Sequence, residues 1–154
     1  MTLRSDEPEP DRYNPWRDLR DNWPEISVVI SPMRGRLLGE LDYPVIALRA
    51  GTTAAQRRCT LAHELVHLER GVRDCGPWAD REERVVHEEV ARRLISAVDL
   101  ADAVRTIGGR DDLNALAIAL DVDRHTLRVR LGLVTEREHR LINTATVHDL
   151  WSVA

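Results

Sequence analysis

The chain has no lysine and no phenylalanine, so all 22 of its basic residues are arginine. Lysine and phenylalanine codons are AT-rich. The absence therefore points to GC-rich coding, in a bacterium or one of its phages, rather than to a structural constraint. Cysteine is scarce as well: Cys59 and Cys75 are the only two. They are too few for a disulfide framework, so the fold must be held by its core and the expected compartment is a reducing cytoplasm. No apolar run approaches the ~20 residues that a membrane span needs. The opening segment, Met1 to Pro10, is acidic and proline-bearing, unlike a signal or transit peptide. Excess basic charge is missing too. The formal net charge is −4, which argues against nonspecific nucleic-acid binding by the whole chain.

What remains is a globular composition, 43% hydrophobic and 31% charged over 154 residues, enough for one domain with an appendage. Residues 1–14 read as a flexible N-terminal segment. Pro15 to Asn22 reads as a short helix with Asn14 as its cap. Ile26 to Ile30 is a β-branched run between Pro24 and Pro32 and reads as a strand. Leu37 to Leu41 and Val45 to Leu48 flank Asp42-Tyr43-Pro44 and read as a hairpin or neighbouring strands. From Thr53 onward the pattern is helical: Thr53 to Glu69, stopped by Gly71, then Trp78 to Val98 and Leu100 to Ile107. Three short helices follow, Leu113 to Leu120, His125 to Leu131 and Thr135 to Ile142. The predicted class is α+β: a small N-terminal sheet on one central helix, a core over 15–108, and a helical extension over 109–154. Trp16, Trp23, Trp78 and Trp151 are expected at the edges of the core.

The chemistry concentrates in Thr60-Leu61-Ala62-His63-Glu64-Leu65-Val66-His67-Leu68. Residues four apart on a helix share a face, so His63 and His67 can reach one metal ion. Glu64 lies beside that face, where a carboxylate can take the proton of a water activated by the ion. The apolar neighbours Ala62, Leu65, Val66 and Leu68 suit a buried helix whose polar residues turn to a cleft. Two surface histidines in a salt-bridge network would not need them.

A catalytic zinc takes three protein ligands and keeps one open position. The second long helix offers Glu82, Glu83, His87, Glu88 and Glu89. At about 100° per residue, Glu88 shares a face with Arg84, Ala91, Ile95 and Val98. That face makes Glu88 the expected third ligand and leaves Glu89 with Arg92 and Arg93 on the surface. His87 stays open as a ligand or as a donor to the reaction's oxyanion. Cys59, four residues before His63, is read as a small buried residue, with a role at the metal as the sharper alternative.

Arg57 to His67, followed by Glu88-x-x-Ala91 and Leu94-Ile95, resembles the ImmA/IrrE family of metallopeptidases. The resemblance covers roughly Ile26 to Val104. It implies a gluzincin-like enzyme with Zn2+ on His63, His67 and Glu88 and with Glu64 as general base. It also implies a protein substrate, a helix-turn-helix repressor of a phage, mobile element or stress regulon.

Leu113 to Leu131 itself resembles a helix-turn-helix, with Arg124, Arg128 and Arg130 available to phosphates. Asp111, Asp112, Asp121 and Asp123 bracket it and would repel DNA. The segment is therefore expected to complete the peptidase core rather than to bind DNA directly. The competing readings are a DNA-binding regulator with a structural or vestigial zinc site, and an antirepressor that acts by binding alone.

Overall fold

The computed structural model describes residues 12–71, 78–108 and 112–151, the last eight of these by backbone alone. It is an α+β fold with ten elements among the described residues. Helix α1 (Pro15–Asn22) starts at Asn14, whose side chain accepts from the backbone N–H of Trp16 and Arg17. Strands β1 (Ser27–Ser31), β2 (Gly39–Asp42) and β3 (Val45–Arg49) follow. The helices are α2 (Ala54–Arg70), α3 (Ala79–Leu94), α4 (Ala97–Ile107), α5 (Leu113–Ala119), α6 (Arg124–Gly132) and α7 (Glu136–Trp151). No helix among the described residues is long and apolar enough to cross a membrane.

The sheet has the order β1-β3-β2. β3 is central, parallel to β1 with Ser27 opposite Val45, and antiparallel to β2 with Gly39 opposite Leu48. Alternation along β3 sends Ile46 and Leu48 to the buried face. β2 is left as an edge strand.

α2 organises the molecule because three of its sides do three different things. Its start is fixed by a reciprocal pair, the Thr53 side chain with the Gln56 N–H and the Gln56 side chain with the Thr53 N–H. Its end is Gly71 at φ 65°, a left-handed cap that glycine adopts without strain. Leu61 and Leu65 pack on the sheet with Ile26, Ile46 and Leu48. Cys59, Ala62 and Val66 join a second cluster shared with α3 to α7, including Val90, Leu116, Leu127 and Ile142. The remaining side carries Thr60, His63, Glu64 and His67.

Three expectations need correction. The helix expected over Trp78 to Val98 breaks after Leu94, because Ile95 is extended (φ −131°, ψ 97°) and the Ser96 side chain caps α4 by accepting from the Asp99 N–H. The helix expected over Thr135 to Ile142 continues to Trp151. Trp78 and Trp16 are no core anchors, being 68% and 42% exposed, and the Trp151 side chain lies outside the described residues. Cys75 lies outside the described residues, and Cys59 is a free, buried thiol.

Candidate metal centre

The two motif histidines meet as their spacing requires. Their Nε2 atoms are 3.0 Å apart. The carboxylate that reaches them is that of Glu83, on the second turn of α3. Its Oε2 lies 3.3 Å from His63 Nε2 and its Oε1 lies 3.0 Å from His67 Nε2. Glu88, expected in that place, is not among the residues that line the cleft. The side of α3 turned to α2 is the one bearing Val86, Val90 and Leu94, all buried. Glu83 and His87 lie alongside that stripe, and Glu88 is rotated away from it.

His87 extends the cluster. Its Nε2 is 4.0 Å from Glu83 Oε2 and its ring centroid is 4.7 Å from that of His63. His63, Glu83 and His87 offer ligand atoms all within 4.8 Å of one another. The His63–His67–Glu83 group is the tighter of the two. Next comes His125, at the start of α6, with its ring centroid 4.6 Å from that of His87.

The donor set fits a metal ion. Ligands at about 2.0–2.1 Å around a tetrahedral zinc stand about 3.3 Å from one another, close to the three separations seen. Burial, with the neighbouring His67, His87 and His125 adding to it, pushes the pKa of His63 down to about 3. The imidazole is then neutral and keeps the lone pair that a metal requires. Burial also lowers His87, with His125 contributing.

Glu64 sits deeper, 7% exposed, against edge strand β2. Burial, then the charges of Glu83 and Glu40, push its carboxyl up to about 7. A carboxyl in that range gives and takes protons near neutrality. Strand β2 comes this close because residue 39 is glycine. A Cβ there would lie 2.3 Å from Thr60 Cγ2 and 2.9 Å from Glu64 Oε1.

These groups open into a cleft of about 580 Å³, walled by the segment 36–40, by α2 and α3, and by Asp123, His125 and Thr126 of the α6 start. Glu83 was legible in the sequence through its i, i+4 relation to His87, the same relation that joins His63 to His67. His125 lies 58 residues beyond His67 and carries no local signal.

No curated protein and no solved structure matches the chain. The family model described as the IrrE N-terminal-like domain (Peptidase_M78) matches residues 24–131. That range takes in the sheet, both helices of the centre and most of α6. The chain belongs to the IrrE N-terminal-like family, whose domain is of the metal-dependent peptidase type.

Proposed function

We propose that the chain is a zinc metallopeptidase that cleaves a protein substrate. The observation that carries the reading is the meeting of His63, His67 and Glu83 beside the buried carboxylate of Glu64, at the floor of a cleft. His63, His67 and Glu83 would hold the ion, with Glu83 taking the role first expected of Glu88. When bound, zinc would supply Lewis acidity, bringing a water's pKa toward neutrality and polarising a carbonyl. Glu64 accepts the attacking water's proton on its carboxylate and returns it to the departing amine nitrogen. Its burial between α2 and β2 keeps it aimed at the cleft and away from bulk water.

The substrate class we propose is a helix-turn-helix repressor, on the strength of the family resemblance. Support for peptidase work over DNA binding comes from α6 itself. The helix that a helix-turn-helix would lay in the major groove has its first turn in the cleft. Thr126, Leu127 and Arg130 of the same helix are buried. We accordingly assign α5 and α6 to the peptidase unit. The test is elemental analysis together with intact-mass analysis of candidate repressors incubated with the wild type and with Glu64→Gln. About one zinc per chain and cleavage lost only in the variant are expected. Equal biological activity in Glu64→Gln would leave binding, not proteolysis, as the function.

A further inference from the structure

We propose that His125 is a catalytic residue of this cleft, one that binds the carbonyl oxygen of the scissile peptide bond and donates a hydrogen bond to it as it becomes an oxyanion. The inference rests on the metallopeptidase reading and adds the group that the motif leaves out. Glu64 can move a proton, but nothing in His-Glu-x-x-His donates to the oxygen that gains charge. Removing one such donor from an acyl-transfer site costs about 10²–10³-fold in rate.

Three observations single out His125. It lines the cleft and is exposed within it, so it is not spent in the core. It stands at the far end of a row of rings that runs His63, His87, His125, with centroid spacings of 4.7 and 4.6 Å and an edge-on contact of 74° at the last step. Glu64, by contrast, is held against Gly39 of β2. The base and the donor therefore flank the cleft from different walls. Third, the start of α6 is pinned to α2. The Asp123 N–H donates to Cys59 Sγ at 3.4 Å, and the Asp123 side chain caps α6 by accepting from the Thr126 N–H at 2.7 Å. Arg58 donates to the Asp121 carbonyl at 2.8 Å. A donor carried on such an anchored turn needs little reorganisation at the moment of reaction.

His87 is the less suitable donor, since it lies against Glu83 and within the metal-binding cluster. Its ring instead gives that of His125 a surface to rest on. The donation needs only a ring N–H, which a neutral imidazole has. In the step itself, a water oxygen bonds to the carbonyl carbon and the C=O π electrons move onto oxygen, where the His125 N–H holds them without giving up its proton. The C–N bond then breaks, and the amine leaves with the proton that Glu64 took from the water.

The test uses the zinc-loaded full chain with His125→Phe and His125→Gln. Zinc content is measured first and is expected to stay at the wild-type level in both. Hydrolysis of labelled casein and binding of a peptide phosphonamidate, whose tetrahedral P–O⁻ stands in for the oxyanion, are then compared. His125→Phe is expected to lose about 100-fold in kcat and in phosphonamidate affinity with KM nearly unchanged, and His125→Gln, which keeps an N–H, to recover part of both. Unchanged phosphonamidate affinity in zinc-loaded His125→Phe overturns the assignment, as does a wild type that does not bind the phosphonamidate. A wild type that binds it but cleaves neither casein nor the candidate repressors better than Glu64→Gln overturns the peptidase reading instead.

Discussion

Gly39→Ala is the smallest change that strikes the centre. The added methyl would stand 2.3 Å from Thr60 Cγ2 and 2.9 Å from Glu64 Oε1. Carbon atoms in ordinary contact are about 3.5–4.0 Å apart, so more than ~1 Å must be found somewhere. Thr60 cannot turn away without cost, because its Oγ1 donates to the Gln56 carbonyl at 2.8 Å. β2 is held by its ladder to β3, with Gly39 opposite Leu48. The strand and α2 must therefore part, or Glu64 must move. Overpacking of this kind costs about 1–3 kcal/mol, which for a chain of this size lowers Tm by roughly 3–10 °C. A displacement of about 1 Å at a catalytic group costs on the order of 10²-fold in rate. Calorimetric unfolding and casein hydrolysis at matched zinc content measure the two effects separately. Gly132→Ala is the control, since nothing lies within 4 Å of its added carbon. If Gly39→Ala keeps Tm within about 1 °C of the control and hydrolyses casein at the wild-type rate, the close approach of β2 to Glu64 is not as described.

Other consequences are as direct. Glu83→Ala should strip zinc while Glu88→Ala keeps it, because only Glu83 reaches both imidazoles; the reverse pattern in elemental analysis would return the role to Glu88. Arg130 is 2% exposed, with its Nε donating to the Ile95 carbonyl and its NH2 group paired with Glu138. Arg130→Ala should therefore cost about 1–3 kcal/mol in urea unfolding, mainly from the unpaired Ile95 carbonyl, since Glu138 keeps the Thr135 N–H and hydroxyl; a loss below about 0.5 kcal/mol would show that the pair does not tie α7 down. Burial, with the charge of Asp123, pushes the Cys59 thiol up to about 11. The unfolded thiol ionises near 8.5, so this contribution to stability is full below that pH and declines as pH rises toward 11. In a Cys75→Ser background, alkylation of the native protein should stay slow through pH 9; half-maximal reactivity near pH 8.5 would contradict it.

The parts of this molecule that were legible in sequence are those written in local chemistry. Thr53, Gln56 and Gly71 mark both ends of α2, and each makes the contact its type suggests. The β-branched run before Pro32 and the hairpin around Asp42-Tyr43-Pro44 give strands where expected. His63 and His67 meet because four residues make about one helical turn. The carboxylate that meets the two histidines, which we propose as the third ligand, was harder to read, because its position depends on how α3 is rotated. Counting one face through Glu88, Ala91, Ile95 and Val98 runs across the break at Ser96, and Val98 is in fact 56% exposed. With the helix ended at Leu94, the apolar stripe becomes Val86, Val90 and Leu94, and Glu83 stands beside it. Ser96 three residues before Asp99 was the cue to that break.

The cleft draws its walls from segments far apart in the chain, and this bears on what the last third of the chain is for. Glu64, the base that we propose, stands on α2 against β2, near residue 40. The imidazole that we assign to the oxyanion arrives on α6, beyond residue 120. Between them, Leu116 and Leu127 are fully buried in one cluster with Ala62 and Val90. Removing α5 and α6 would uncover that cluster and take away one wall of the site at once. A helix-turn-helix shape used in this way is a packing solution: two short helices at a tight turn can set one helix start over a cleft while their other sides fill a core. Its resemblance to a DNA reader would then follow from geometry, and the placement of Asp123, His125 and Thr126 in the cleft wall is what supports the peptidase use that we propose for it.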